Sequence, residues 1–121
     1  MIGIGVDLVE VDRMRTVLAR TPTMAEKLFT EGERAYATTA NDPAERFAAR
    51  FAAKEAVMKA LRVGLGAVDW HDIEVVRNDQ GAPALVITGR AQALADEAGV
   101  TRWLLTLTHT TTMAEAIAVA L

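Results

Sequence analysis

The chain has 121 residues, of which 51% are apolar, and this suffices for one domain with a modest core that spans residues 1–121. It has no Cys, which excludes disulfides, thiolate metal sites and Cys nucleophiles, and its formal net charge of −3 argues against general nucleic-acid binding. No apolar stretch approaches the roughly 20 residues that cross a bilayer, and the N-terminus lacks the features of a signal peptide, so we expect a soluble cytoplasmic protein without a membrane partner.

The N-terminal segment predicts a strand that continues into a helix. Residues 2–11 are apolar and β-branched, which is typical of a buried strand. Residues 11–20 favour a helix, with Met14, Val17 and Leu18 on one face. We therefore expect the chain to begin with a buried strand that leads directly into an amphipathic helix.

Two helices are predicted in the middle of the chain. Thr30 and Glu33 have the spacing of a capping box, so we expect a short helix to begin there. A longer helix is predicted over residues 43–61, because Asp42 is a good N-cap and the Ala-rich segment after it is strongly helix-forming. The glycines of residues 64–66 are expected to end this helix.

The C-terminal half predicts more strands than helices. The expected elements are a hairpin of strands 72–77 and 84–88, a helix over 90–98 and a strand over 103–109. The last segment, residues 113–121, is ambiguous, since its propensity favours a helix while its β-branched residues suit a strand. This order of elements predicts an α+β domain with an antiparallel sheet that packs against the long central helix.

Asp7 is the first candidate for chemistry because it interrupts an apolar run, between Val6 and Leu8. An ionised carboxylate in such a run is costly unless it is paired, hydrogen-bonded or bound to a cation. The residue alone leaves two interpretations equally open. It serves a functional site, or it lies at a strand end and caps the next helix.

Glu55 and Lys59 lie four residues apart and therefore share one face of the long predicted helix. By themselves they are most simply an ordinary surface ion pair. His109 ends the predicted strand over 103–109, and a lone His there is more simply a satisfied core residue than a catalytic one. The separate residues therefore identify no site.

Three arginines lie on the first predicted helix. Arg13 and Arg20 are seven residues apart and share a face, while Arg15 fits that face less well. They are either solvated surface residues or a strip that docks an acidic protein partner.

Three segments together resemble the motifs of a known family. Gly3–Asp7, Arg50–Ala60 and Thr106–Thr110 are similar to the three motifs of the holo-acyl-carrier-protein synthases, the short single-domain branch of the 4′-phosphopantetheinyl transferase superfamily. The resemblance covers essentially the whole chain, and the middle motif is the specific one. Two positions differ, since many relatives have Ser at Thr108 and a Gly-Thr-Gly turn where this chain has residues 62–64.

The resemblance implies a magnesium-dependent enzyme that moves 4′-phosphopantetheine from coenzyme A onto a serine of an apo acyl carrier protein, in fatty-acid or polyketide biosynthesis. It also implies a homotrimer with coenzyme A bound between subunits. The family's site residues map onto Asp7 and Glu55 as magnesium ligands, Lys59 and His109 as catalytic and phosphate-binding residues, and Arg50 and Gly64 as further contacts to coenzyme A. The general base is left open between Glu55, Asp7 and a metal-bound water.

Two other functions compete with this one. A magnesium-dependent hydrolase of a nucleotide or pyrophosphate would use the same carboxylates, with water in place of the serine. A non-catalytic module would bind an acidic protein through the arginines of the first helix. Neither alternative accounts for all three motifs.

Overall fold

A computed structural model describes all of residues 1–121 as five strands, five α-helices and one 3-10 turn. In chain order the elements are β1 (Gly3–Glu10), α1 (Val11–Arg20), α2 (Met24–Leu28), α3 (Glu31–Ala37), α4 (Ala44–Ala60), the 3-10 turn (Trp70–Asp72), β2 (Ile73–Arg77), β3 (Pro83–Ile87), α5 (Gly89–Ala98), β4 (Trp103–His109) and β5 (Met113–Ala120). None of the helices is both long enough and apolar enough to span a membrane.

The strands form two antiparallel sheets, and α4 packs against the larger one. The larger sheet has the order β1-β5-β4, and β2 and β3 form a separate hairpin. The backbones of β1 and α4 approach each other so closely that a Cβ on Gly5 would lie 1.9 Å from the carbonyl oxygen of Ala56. Gly3 faces Ala60 in the same way. The predicted α+β fold with a central helix is confirmed, with two sheets in place of one.

The ambiguous C-terminal segment is a strand. Ala114, Ala116, Ala118 and Ala120 are buried against α4, while the residues between them lie on the other face of β5. Alternation with a period of two is the mark of a strand. The small side chains match the close helix, so tertiary packing overrides the helix propensity of Ala.

The prediction that β1 is a buried strand is wrong for one of its faces. Gly5 is buried beneath α4, but Ile4, Val6 and Leu8 are 59%, 49% and 59% exposed. Both faces of β1 are apolar, yet α4 covers only one of them. The outer face of the larger sheet is therefore an uncovered apolar surface.

The ends of α4 also differ from the prediction. Pro43 is the N-cap residue, and Asp42 accepts a hydrogen bond from the backbone N–H of Ala44 at 3.2 Å. The helix ends before the glycines, because Arg62 takes a left-handed conformation with φ 60°. The N–H of Val63 then bonds the carbonyl of Met58 at 3.0 Å, which closes the helix end. The capping box of Thr30 and Glu33 is confirmed at the start of α3, whereas α2 was not predicted.

A buried ion pair ties α4 to α3, and hydrogen bonds from its lysine reach the start of β2. Lys54 and Glu33 are fully buried, with Lys54 Nζ 2.8 Å from Glu33 Oε1. Lys54 also donates hydrogen bonds to the backbone carbonyls of Trp70 and Ile73. Burial lowers the pKa of Lys54, while the neighbouring carboxylate of Glu33 opposes this. The hydrogen bond from Lys54 holds the backbone of Trp70 against α4.

Candidate active site

Asp7, Glu55 and Lys59 meet where β1 crosses α4. Asp7 lies on the same face of β1 as Gly3 and Gly5, so its side chain points toward the helix. Lys59 Nζ donates hydrogen bonds to Asp7 Oδ1 at 3.0 Å and to the carbonyl of Val6 at 2.9 Å. Glu55 lies one helical turn before Lys59. The structure therefore brings together three of the residues that the sequence motifs predicted.

The charges of this cluster leave an excess of negative charge. Partial burial raises the pKa of Glu55, nearby Asp7 raises it further, and Lys59 lowers it. The side chain of Asp7 is 17% exposed, whereas that of Lys59 is 53% exposed. Lys59 therefore presents its ammonium group to solvent beside the two carboxylates.

The cluster suits a hard divalent cation better than a softer one. The chain has no group of three or more His, Cys, Asp or Glu side chains that could hold a metal ion. Two carboxylates alone do not form a closed metal cage. Mg²⁺, however, typically takes one or two carboxylates and completes its shell with water and substrate phosphates. The donor set of Asp7 and Glu55 therefore fits an open magnesium site.

A groove adjoins the two carboxylates, and we call it the Trp70 groove. Its volume is about 670 Å³, and 10 of its 14 lining residues are hydrophobic. Asp7 and Glu55 belong to the lining, together with residues of α1 and α2. Phe51 and Trp70 stack on each other in this wall with ring centroids 5.2 Å apart. An apolar space is thus continuous with the charged cluster.

The structure places His109 apart from this cluster. His109 ends β4, and β5 separates β4 from β1, so about 10 Å of sheet lies between the two backbones. Its Nδ1 atom lies 3.4 Å from Glu45 Oε2 near the start of α4. The imidazole is half exposed and open to a ligand or to a second copy of the chain.

Arg50 and Gly64 also lie outside the carboxylate cluster. Arg50 is only 5% exposed and stacks on Tyr36, with its Cζ atom 4.4 Å from the ring centroid. Arg46 and Arg77 stack on the same ring at 4.2 and 5.0 Å. Burial lowers the pKa of Arg50, and its Nε atom has no hydrogen-bond partner. A Cβ on Gly64 would touch nothing within 4 Å, so that residue is open to solvent.

The three arginines of α1 differ in their partners. Arg15 forms ion pairs with Asp12 and Asp42, so its charge is already compensated within the chain. Arg13 and Arg20 are exposed and form no ion pair. Arg13 also lines the Trp70 groove. Arg13 and Arg20 are therefore the arginines of α1 whose charges are not compensated by an ion pair within the chain.

The sequence motifs did not identify the groove or the buried ion pair. Phe51 and Lys54 precede Glu55 in the middle motif. Phe51 stacks on Trp70 and Lys54 pairs with Glu33, and both partners are distant in the sequence. One local signal was present. Phe51 lies one helical turn before Glu55, so the two share the helix face that borders the groove.

Comparisons with known proteins agree on one family. A family model described as the 4′-phosphopantetheinyl transferase superfamily matches residues 3–120. A holo-[acyl-carrier-protein] synthase from Frankia casuarinae is 48% identical over 120 residues, covering 99% of this chain and 97% of its own. The crystal structure of holo-[acyl-carrier-protein] synthase from Neisseria meningitidis has a TM-score of 0.89 at 29% identity, covering 99% of this chain and 98% of its own. A holo-(acyl-carrier-protein) synthase from Bacillus anthracis, solved in complex with CoA (3′,5′-ADP), has a TM-score of 0.81 at 33% identity, covering 98% and 95% of the two chains.

Proposed function

Because this chain belongs to the 4′-phosphopantetheinyl transferase superfamily, we propose that it transfers 4′-phosphopantetheine from coenzyme A to a serine of an apo acyl carrier protein. The products are holo carrier protein and 3′,5′-ADP. The observation that carries the proposal is the cluster of Asp7, Glu55 and Lys59, which places two carboxylates beside a half-exposed lysine. Relatives named holo-[acyl-carrier-protein] synthase support the same reaction.

The reaction needs no nucleophile from the enzyme. The serine oxygen of the carrier attacks the phosphorus that bears pantetheine, the P–O bond of the pyrophosphate breaks, and 3′,5′-ADP leaves. Such transfers depend mainly on positioning and electrostatic stabilisation. Asp7 and Glu55 would hold Mg²⁺, which neutralises developing negative charge when it is bound. Lys59 binds a phosphate oxygen, and the serine proton passes to Glu55, Asp7 or water.

The uncovered apolar face of the larger sheet supports self-association, and we propose that the assembly is the homotrimer that the family resemblance implies. Besides Ile4, Val6 and Leu8 of β1, this face carries Leu104 of β4, which is 51% exposed. Contiguous exposed apolar surface commonly marks a protein interface. Contact between subunits would let one subunit supply the carboxylate cluster and its neighbour supply the half-exposed His109 for coenzyme A. Light scattering should report three chains per particle, and a stable, active monomer would contradict this arrangement.

The decisive experiment incubates the protein with apo carrier, coenzyme A and Mg²⁺ and measures the mass of the carrier. We expect a gain of one phosphopantetheine group, which EDTA blocks and added Mg²⁺ restores. Loss of coenzyme A without any carrier would identify a hydrolase instead. An unchanged carrier mass that accompanies tight carrier binding would identify a non-catalytic module. Carrier proteins of fatty-acid synthesis and of polyketide synthesis should be tested in parallel, since either could be the acceptor of the cytoplasmic enzyme that we propose.

A further inference from the structure

Arg62 is the only residue other than glycine that has a left-handed backbone conformation, with φ 60°. A residue with a side chain is strained in this conformation, whereas glycine adopts it freely. The end of α4 holds the strained backbone in place, because the N–H of Arg62 bonds the carbonyl of Lys59 at 3.0 Å and the N–H of Val63 bonds that of Met58 at 3.0 Å. Strained residues that the surrounding structure fixes in this way cluster at functional sites.

The backbone of Arg62 lies between two residues that border the carboxylate cluster. Lys59, three residues earlier, donates a hydrogen bond to Asp7 Oδ1 at 3.0 Å. Leu65, three residues later, lines the Trp70 groove together with Asp7 and Glu55. The chain therefore turns at Arg62 on the edge of the cluster, close enough for a long side chain to reach a ligand bound there.

The guanidinium of Arg62 is available to such a ligand. The side chain is exposed and forms no ion pair within the chain. A cation near the last turn of a helix also interacts favourably with the helix dipole. Lys59 already lies in that turn and needs no strained backbone to do so. The helix dipole therefore explains a positive charge at this helix end but not its position on a left-handed residue.

The expected ligand brings more negative charge than the carboxylate cluster balances. Asp7, Glu55, Lys59 and a bound Mg²⁺ together carry one positive charge, whereas the pyrophosphate of coenzyme A carries two negative charges. A second cation at the edge of the cluster would complete the balance. Arginine suits this role, because its planar fork donates two parallel hydrogen bonds to phosphate oxygens.

We propose that Arg62 binds the pyrophosphate of coenzyme A through its guanidinium, beside Lys59. This inference rests on the function proposed above and adds a binding residue to that site. The bonds that form and break in the transfer are unchanged, since Arg62 only donates hydrogen bonds. A carboxylate of an acidic carrier protein is the competing ligand, and the experiments below separate the two.

The first test measures binding by calorimetry without any carrier, using coenzyme A and 3′-dephospho-coenzyme A with Mg²⁺. Arg62→Gln should raise the Kd of both ligands by about five- to tenfold, and Arg62→Lys should recover part of the loss, because it keeps the charge without the fork. The control is Arg102→Gln, another exposed arginine without an ion pair, which should bind both ligands as the wild type does. Equal Kd values in the wild type and Arg62→Gln would overturn the inference. A loss confined to coenzyme A would also overturn it, since the contact would then be with the 3′-phosphate.

The second test separates ligand binding from a role in the helix end. Arg62→Gly removes the guanidinium and relieves the backbone strain, so its Tm by circular dichroism should be no lower than that of the wild type while its Kd for coenzyme A is still raised. Weaker binding that appears only in variants with a lowered Tm would overturn the inference, because Arg62 would then act through the helix end.

Steady-state kinetics separate this inference from the proposed function. Arg62→Gln should raise the KM of coenzyme A and leave the KM of the carrier unchanged. A variant that altered only the KM of the carrier would refute the inference alone, because Arg62 would then contact the carrier. No transfer by the wild type to any carrier would refute the proposed function itself.

Discussion

Glu55 should destabilise the metal-free protein while it is essential for transfer. Its pKa is raised by partial burial and by Asp7, so the folded state prefers the protonated carboxyl. Such a group imposes a penalty that is fully present above its folded pKa and disappears as the pH falls below its unfolded pKa. Near pH 7.5, the variant Glu55→Gln removes the charge and keeps the shape. It should therefore be more stable than the wild type.

The size of this effect follows from the exposure of Glu55. The carboxyl is only partly buried, so we discount for solvent screening and expect about 0.2–1 kcal/mol. For a domain of this size that corresponds to a rise in Tm of roughly 1–4 °C. At pH 4 the difference in stability between the wild type and Glu55→Gln should shrink, because the carboxyl of Glu55 is then largely protonated and as neutral as the amide that replaces it.

Bound Mg²⁺ should reverse the order of stability, so that the wild type melts above Glu55→Gln. A ligand at 100 times its Kd stabilises the folded state by about 2.7 kcal/mol, which would raise the Tm of the wild type by roughly 10 °C. Glu55→Gln lacks one ligand and should gain much less. The assay is thermal unfolding by circular dichroism in EDTA and in excess Mg²⁺, with Glu97→Gln on the exposed face of α5 as the control. A variant that melts below the wild type in EDTA, or gains equally from Mg²⁺, would refute the reasoning.

Three other predictions follow from packing and charge. Gly5→Ala should unfold the protein or lower its free energy of unfolding by several kcal/mol, because the new Cβ would clash with the backbone of α4. Gly64→Ala is the control in the same denaturant titrations and should be close to neutral, because a Cβ there has no neighbour within 4 Å. Lys54→Met should lower the free energy of unfolding by about 3–5 kcal/mol, since Glu33 is left as an unpaired buried charge; a change below 1 kcal/mol would contradict the buried pair. Arg13→Glu combined with Arg20→Glu should raise the KM of the carrier, less so at high salt, and leave the KM of coenzyme A unchanged in steady-state kinetics. An unaltered KM of the carrier would place the docking surface elsewhere.

The carboxylate cluster was predicted through the resemblance of three motifs to a known family, and local spacing accounts for part of its geometry. Glu55 and Lys59 are four residues apart in a helix, and that spacing alone places them on one face. Gly3, Gly5 and Asp7 alternate with a period of two, which places two glycines and a carboxylate on one face of a strand. A face of this kind lets a helix approach closely, and α4 lies against it in the structure.

Other features could not be predicted because they depend on distant partners. Nothing near Lys54 distinguishes a buried lysine from an exposed one, since its partner Glu33 lies in another helix. Arg15 differs from Arg13 only because Asp42 lies beside it in the folded chain. Helix propensity left β5 ambiguous, because packing against α4 requires small residues and Ala meets that need in a strand.

The separation of His109 from the carboxylate cluster has a consequence that can be tested quantitatively. If neighbouring subunits complete each other's sites, one subunit contributes Glu55 and the next contributes His109. A subunit with Glu55→Gln can still offer His109, and a subunit with His109→Ala can still offer Glu55. Mixed particles should then recover activity that neither variant has alone.

The expected recovery follows from counting interfaces. In randomly mixed cyclic assemblies made from equal amounts of both variants, about one quarter of the head-to-tail interfaces combine an intact Glu55 with an intact His109. Co-expression of the two variants with different tags, followed by purification and a transfer assay, should therefore give about a quarter of the wild-type rate per subunit. A site confined to a single chain would give no recovery at all, because every chain in the mixture lacks either Glu55 or His109. Full activity in His109→Ala alone would show that the imidazole takes no part in transfer.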